Sequence, residues 1–284
     1  MNLENKRCDL HVHSLASDGT YTPTQLVIAA KEQGLTIALT DHNGTDGLSE
    51  FLAAAEKYGV EAVPGAEISA DCGGKEMHIL ALFVPESAYD AVNEFTAEMR
   101  RYKIEGNREL ARRLTEAGYP VDIDKIIADY PDSYINRSHI ARELVRLGYV
   151  RDVDEAFDTL LSKKMGYYVP CPKPTAEDTV AFIKSIGAVP VIAHPYLKFT
   201  TEELDEFIPR AKKLGLAGME TSYSEYTPET QAEAEATALR HGLLFSGGSD
   251  FHGSAKAHIS LGTGMGDLFV PYEYYLKLKE YADA

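Results

Sequence analysis

The 284-residue chain is predicted to fold as an α/β barrel of about seven strands, interrupted once by an all-helical stretch. Three observations carry this expectation. Short apolar runs alternate with helical stretches over residues 8–83 and again over 175–281, the rhythm of parallel βα units. Between residues 86 and 165 helical periodicity continues without a strand. Histidine, aspartate and glutamate recur where the strands end, the end at which closed α/β barrels gather their functional side chains.

The elements follow in order. The first strand is expected over Cys8–His13. Alternation along it sends Asp9, His11 and His13 to one face and Leu10 and Val12 to the other. Thr22 caps a helix that has Pro23 at its first position, Gln25 completing a capping box and Gly34 as its stop. A second strand, Leu35–Thr40, runs into Asp41-His42. A helix from about Gly47 to Tyr58 leads to a third strand, Val60–Pro64, with Glu67 just past its end, and a fourth strand, Met77–Phe83, carries His78 near its start. A long helix over residues 86–117 and shorter ones near 123–129, 139–147 and 153–161 then make up a helical insert. The expected division is a barrel of residues 1–85 and 166–284 with an inserted domain of residues 86–165. The βα rhythm resumes with a helix capped by Thr175 and the strand Val189–Ala193, which ends in His194-Pro195. A helix over 202–214, the strand Gly218–Thr221, a helix opened by Thr227-Pro228 and the strand Leu243–Ser246 follow. The last strand runs into Gly248-Ser249-Asp250-Phe251-His252, and a helix over 271–281 closes the chain.

Composition narrows the function classes. With 28 basic against 44 acidic residues the formal charge is −16, which argues against a nucleic-acid-binding tail, a stable nucleic-acid complex or a membrane-surface protein. A nucleotide substrate stays compatible, because bound divalent cations would supply positive charge locally. Cys8, Cys72 and Cys171 have no zinc-site spacing and suggest a reducing compartment. Residues 1–7 lack the apolar run of a secretory signal, and no apolar stretch approaches the roughly 20 residues of a membrane helix. The expectation is a soluble, cytoplasmic protein; its oligomeric state is not legible.

The polar residues at the strand ends form one constellation: His11, His13, Asp18, His42, Glu67, His78, His194, Asp250 and His252. Six of the nine histidines belong to it, more than scattered surface histidines would supply. Imidazole plus carboxylate without thiolate suits manganese, iron or zinc. Nine ligands exceed the roughly four of one zinc site, so two or three divalent ions are expected. Such clusters are typical of phosphate-ester hydrolysis, where the metals provide a hydroxide nucleophile at neutral pH and clamp the oxygens of the displacement.

The motifs Asp9-Leu10-His11-Val12-His13-Ser14, Ser17-Asp18-Gly19, Thr40-Asp41-His42, Gly65-Ala66-Glu67-Ile68-Ser69, His78, Ala193-His194-Pro195 and Gly248-Ser249-Asp250-Phe251-His252 occur in the order found in the PHP (polymerase and histidinol phosphatase) superfamily, which the chain resembles from Asp9 to His252. The resemblance implies a distorted seven-stranded β/α barrel with a trinuclear metal cluster. It also implies a partition of ligands. His11, His13, Glu67 and Asp250 would hold one ion; Asp18, His42 and His194 a second; and Glu67, His78 and His252 a third, with Glu67 bridging.

The likeness is strongest to stand-alone phosphoesterases that carry a helical insert between the fourth and fifth strands. Those act on AMP, nucleoside 3′,5′-bisphosphates or short oligoribonucleotides, and their insert presents an Arg and a His to the substrate phosphate. The matching segment is Asn136-Arg137-Ser138-His139-Ile140-Ala141-Arg142, so Arg137, Ser138 and His139 are expected to bind substrate. His194 and His252 are candidates to assist the leaving oxygen; no other catalytic side chain is assigned.

Asn43 stands where many relatives carry Asp, and Met165 where close relatives often carry Lys, with Lys163 and Lys164 beside it. Asp9 and Asp41 are expected to orient histidines rather than bind metal. Glu220 is read as a barrel-rim residue, His241 and His258 as surface residues, and Tyr167, Tyr168, Tyr223 and Tyr226 as packing residues. The expected function is metal-dependent hydrolysis of nucleotide phosphomonoesters. The alternatives are histidinol-phosphate phosphatase and a non-catalytic metal-binding interaction module.

Overall fold

The structure is a computed structural model that describes residues 6–130, 135, 137–167, 169 and 171–284. One sheet of seven strands runs in sequence order: β1 (Cys8–Asp9), β2 (Thr36–Leu39), β3 (Ala62–Cys72), β4 (Lys75–Leu82), β5 (Val189–Ala193), β6 (Gly218–Tyr223) and β7 (Leu244–Gly248). Backbone bonds from Leu10 N–H to Gly247 O and from Asp250 N–H to His11 O bring the last strand back to the first and curl the sheet into a nearly closed barrel. Gly248 is needed at this seam, because a Cβ there would meet the His11 backbone nitrogen at 2.5 Å.

Helices α1 (Pro23–Gln33), α2 (Leu48–Tyr58), α7 (Ala176–Ser185), α8 (Thr201–Lys213) and α9 (Pro228–His241) alternate with the strands. The capping box of Thr22 and Gln25 forms as its residue types dictate, and Gly34 closes α1 in the left-handed region. Alternation along β2 splits its side chains: Ile37 and Leu39 pack against Leu26 and Phe51 of α1 and α2, while Ala38 faces a second cluster with Leu10, Leu80 and Val191. Tyr272, Tyr275 and Leu278 of α10 (Tyr272–Ala282) join that second cluster.

Three expectations change. The expected run of parallel strands gives way at β4, which pairs antiparallel with both β3 and β5. The cause is the Gly73-Gly74 turn, where both residues have positive φ, as a two-residue hairpin requires. Because β4 is reversed, its beginning lies where the other strands end, and His78 pairs with Ser69 and Ala193 at that end. Strand β3 is also longer than expected, so Glu67 lies within it rather than beyond it. At the other extreme β1 covers only Cys8–Asp9, and His11 and His13 sit in the extended chain that follows.

Between β4 and β5 the described residues are helical: α3 (Tyr89–Glu116), α4 (Ile123–Asp129), α5 (Arg137–Arg146) and α6 (Val153–Asp158). Helix α3 serves two cores. Val92 and Met99 join the barrel cluster, whereas Leu110, Ala111 and Leu114 pack with Ile126, Ile140 and Leu144 in a separate apolar cluster. Thr96 Oγ1 donates to the carbonyl of Asn43 at 2.8 Å, and Arg100 pairs with Asp46 at 2.7 Å, so the first half of α3 is fastened to the barrel rim.

Candidate metal centre

All nine strand-end residues converge. Each sits at the barrel end where β1, β2, β5, β6 and β7 terminate, and none is fully exposed. Their potential ligand atoms fall into four overlapping groups, each within 4.8 Å: His13, Asp18, His42 and His252; His11, His13 and Asp250; His11, Glu67 and His194; and His42, Glu67 and His78. Glu67 occurs in two groups and faces both His194 Nε2 at 3.1 Å and His42 Nδ1 at 2.8 Å, a bridging position. The grouping differs from the partition implied by resemblance. His194 gathers with His11 and Glu67 rather than with Asp18 and His42, and His252 gathers with Asp18, Nε2 to Oδ1 at 3.1 Å, rather than with Glu67 and His78. The reason is chain direction: His252 follows β7 beside the Asp18 loop, whereas β5 adjoins β4 and delivers His194 next to His78.

The donor set fits divalent cations. His11 Nε2 and His13 Nε2 lie 3.1 Å apart, and Asp250 Oδ1 is 3.1 Å from the latter. Glu67 Oε2 and His42 Nδ1 are buried 2.8 Å apart and find no partner of hydrogen-bond geometry among the described residues. Buried polar groups are rarely left so; a cation shared among imidazole nitrogens and carboxylate oxygens satisfies them.

Electrostatics point the same way. Burial pushes the Glu67 carboxyl up, but His78, His42 and His11 outweigh it and hold it well below the usual range. Asp18 and Asp250 are held low against burial in the same manner, Asp18 by His252 and His42, Asp250 by Lys256 and His252. Burial, with His252 and His42 nearby, pulls His13 down to about 3 and leaves its imidazole neutral, the form that ligates.

A surrounding layer fixes these candidate ligands. Glu220, expected to be a plain rim residue, is buried within β6. Its Oε1 lies 3.0 Å from His11 Nδ1, and its Oε2 accepts the His194 N–H at 2.6 Å. That contact pins His194 at φ 30°, a left-handed conformation costly for a non-glycine residue. Asp250 is also left-handed, at φ 56°, and its Oδ2 accepts from Tyr223 Oη at 2.9 Å and Lys256 Nζ at 2.6 Å. Tyr223 thus does more than pack.

Neither Asp9 nor Asp41 bonds an imidazole directly, but each acts one step away: Asp9 Oδ1 takes the His11 backbone N–H at 3.5 Å, and Asp41 Oδ1 holds Ser17 Oγ, which lies 3.4 Å from His13 Nδ1. Asp9 accepts from Ser249 N–H, Ser249 Oγ and Gly262 N–H, and Asp41 from Ser14 N–H, Ser14 Oγ and Ser17 Oγ. Each lies among buried serine donors and ties neighbouring loops together. Asn43, at φ 54°, exchanges hydrogen bonds with Ser69 on β3. His241 pairs with Asp205 on the surface, and His258 is exposed.

Beside the ligands a cavity of 130 Å³ is lined by His42 and His78 below and by Lys103, Arg137 and Ser138 from the helical region above. Arg137 also lies over the Phe157 ring at 5.5 Å. His139 is buried, packs edge-on to Tyr130 with ring centroids 4.9 Å apart, and lines neither this cavity nor the larger one next to it. It sits one position past Ser138 on α5, which turns it toward the helical core. Lys103 was not singled out in the sequence; in α3 it looks like one more charge on a charged helix. Burial and the neighbouring Arg137 lower its ammonium to about 8. Asn136 and Tyr168 lie outside the described residues.

A nearly closed β/α barrel carrying a buried His/Asp/Glu cluster at its strand ends defines a metal-dependent hydrolase of phosphate esters. The PHP domain family model matches residues 9–148. The chain is 33% identical to the 3′,5′-nucleoside bisphosphate phosphatase of Chromobacterium violaceum over 89% of its own length and 90% of the relative's. It is 31% identical to a 5′-3′ exoribonuclease of Haemophilus influenzae, covering 87% and 90%. A solved structure from Bifidobacterium adolescentis, described as a metal-dependent phosphoesterase, superposes with a TM-score of 0.85 at 30% identity over 96% of both chains. The chain belongs to the PHP domain family and is a metal-dependent phosphoesterase. Among the described residues no helix is long and apolar enough to cross a membrane.

Proposed function

We propose that the chain hydrolyses phosphomonoesters of nucleotides, with AMP, nucleoside 3′,5′-bisphosphates and short oligoribonucleotides as the substrate class. One observation carries this reading: the cavity beside His42 and His78 is also lined by Lys103, Arg137 and Ser138, with the acid Glu76 already paired to Lys173 and Lys198, so a phosphate entering it meets candidate ligands on one side and two cations and a hydroxyl on the other. The relatives named for bisphosphate and RNA substrates support the same class.

His11, His13, Asp18, His42, Glu67, His78, His194, Asp250 and His252 are the residues proposed to hold two or three divalent ions, for which manganese, iron and zinc all suit the nitrogen and oxygen donors. Such ions supply charge to the phosphoryl oxygens and ionise water at neutral pH. The protein's part is positional. Glu220 sets the His11 ring and the His194 backbone, while Tyr223 and Lys256 hold Asp250 so that its Oδ1 faces the imidazoles. Arg137 offers a planar fork of donors suited to phosphate oxygens. His194 and His252 remain the side chains proposed to assist the leaving oxygen. Residues 86–165 are proposed to act as one helical insert that covers the site and selects the substrate.

A metal-supplemented panel of AMP, adenosine 3′,5′-bisphosphate, a 5′-phosphorylated dinucleotide and histidinol phosphate tests the proposal. The nucleotides should be hydrolysed with clear preference. Preference for histidinol phosphate would overturn the nucleotide assignment.

A further inference from the structure

Asn43 and Ser69 line the 130 Å³ cavity beside His42 and His78 and belong to none of the four ligand groups. Strand geometry sets where Ser69 points. Side chains two apart on a strand share a face, so Ser69 lies on the face of Glu67, one repeat further along β3. Its cross-strand partner on β4 is His78, and directly paired residues also share a face. Ser69 therefore stands next to two candidate ligands. It keeps 8% exposure, in the lining of the cavity.

Its hydrogen bonds run in one direction only. The Ser69 N–H donates to Asn43 Oδ1 at 2.9 Å, and only the amide oxygen can accept there, so the amide has a single orientation. Asn43 Nδ2 then donates to Ser69 Oγ at 3.3 Å. The hydroxyl thus accepts from a group that offers it no lone pair in return, and its own proton is left to donate elsewhere. Among the described residues that proton meets no acceptor. Asn43 cannot turn to relieve this. Its N–H donates to Glu67 O at 2.8 Å, its carbonyl accepts from Thr96 Oγ1 at 2.8 Å, and it sits at φ 54°, a conformation that persists only where surrounding contacts over-determine it. Glu76, an acid in the same lining, is already paired with Lys173 at 3.3 Å and Lys198 at 3.4 Å.

We infer that the Ser69 hydroxyl donates a hydrogen bond to an oxygen of the scissile phosphate, and that Asn43 is the positioning residue that keeps its proton free for this contact. The inference rests on the reading that the phosphate enters this cavity, and it adds a donor held by the barrel to the cations held by the helices. The choice of a neutral group has a physical reason: unlike a lysine or arginine, a hydroxyl stands beside the ligand cluster without repelling a bound cation.

The test compares metal-loaded wild-type protein with Ser69→Ala, Ser69→Thr, Asn43→Asp and the double variant Asn43→Asp/Ser69→Ala. Orthophosphate binding is measured by calorimetric titration, so the outcome does not depend on which ester is hydrolysed best. Hydrolysis of AMP and of p-nitrophenyl phosphate is followed alongside. Ser69→Ala should weaken orthophosphate binding and lower kcat/KM on both esters roughly tenfold or more, the usual effect of a hydrogen bond to a charged group, with metal per chain unchanged. Ser69→Thr keeps the hydroxyl and should retain most of both. In Asn43→Asp the carboxylate accepts from the Ser69 N–H and hydroxyl alike and draws the proton away from the cavity. The cost of Asn43→Asp should therefore be greater in wild-type protein than in the Ser69→Ala background, where only the effect of the added charge remains. Wild-type phosphate affinity in Ser69→Ala, a Ser69→Thr variant as impaired as Ser69→Ala, or an equal cost of Asn43→Asp in both backgrounds would each overturn the inference. Loss of metal in Ser69→Ala would make the residue a support for the ligands and overturn it as well. Arg137→Ala separates this outcome from the reading beneath it. Weak orthophosphate binding in Arg137→Ala with normal binding in Ser69→Ala removes Ser69 alone; normal binding in both means that the cavity is not the phosphate site.

Discussion

The two walls of the cleft are built by different means. The barrel wall consists of side chains with no freedom: His11, His13 and Glu67 are buried, each is held by at least one charged neighbour, and Glu220 pins both a ring and a backbone. The helical wall has its own apolar core, centred on Leu114, Ile140 and Leu144, and reaches the cleft with long side chains such as Lys103 and Arg137. A preorganised wall suits reaction chemistry, where small misplacements are costly. A wall of long cationic side chains on separately packed helices suits recognition, where variants can change substrate without disturbing the ligand cluster. The comparison teaches that metal content and substrate preference should be separable by mutation.

The sharpest way to break that separation is Glu67→Gln. It removes the one carboxylate shared by two ligand groups, and kcat/KM should fall at least on the order of a hundred- to a thousandfold as the charge meeting the transition state is lost. Elemental analysis of the same preparation should show fewer ions per chain; an unchanged metal content with full activity would remove Glu67 from the centre. Glu220→Gln comes next. Partners that orient ligating histidines typically cost roughly ten- to a hundredfold in metal affinity or activity, so metal titration should show weaker binding with all nine ligands intact. A normal titration would return Glu220 to the rim role expected from its sequence.

On the opposite wall, Arg137→Ala should lower kcat/KM about tenfold or more, the usual cost of a charge-assisted hydrogen bond, and leave metal content at the wild-type value. Full activity on every phosphorylated substrate would deny the helical wall its role. The smallest effect is expected for Lys103→Met, a few-fold at neutral pH. Its signature is the pH profile. Burial lowers the Lys103 ammonium to about 8, so the cation is present below that pH and lost above it. The kcat/KM of wild-type protein should decline above about pH 8, and the variant should lack that limb. An identical alkaline limb in the variant would assign it to another group.

What could be read in advance follows the same divide. Side chains that end strands announce themselves, because His-x-His, Asp-His and Asp-x-His are unusual beside apolar runs; His11, His13, His42, Asp250 and His252 lie in such motifs, whereas Asp18, Glu67, His78 and His194 are read from their place near strands or strand ends and from the order of family motifs, and the structure brings all nine together. The pairing of ligands was not legible, since it depends on β4 being reversed, and a Gly-Gly turn shows that reversal only when strand partners are known. Glu220 carried a weak signal, a lone acid in the strand Gly218–Thr221, but nothing local shows that it reaches His11. Lys103 carried almost none. A lysine on a polar helix has the same local pattern whether it faces solvent or a cleft, and only tertiary packing separates the cases. His139 shows the converse: its motif suggested a cleft residue, and helix geometry turned it into the helical core.

If the strand-end cluster is the metal centre, metal content and phosphate-ester hydrolysis rise and fall together. The most direct measurement is a chelation and reconstitution titration, with metal per chain and phosphate release from adenosine 3′,5′-bisphosphate followed on the same samples. Activity should be lost on chelation and return with added manganese, iron or zinc in step with two to three bound ions per chain. Phosphate release that survives complete metal removal, or metal binding that never restores it, would contradict the account.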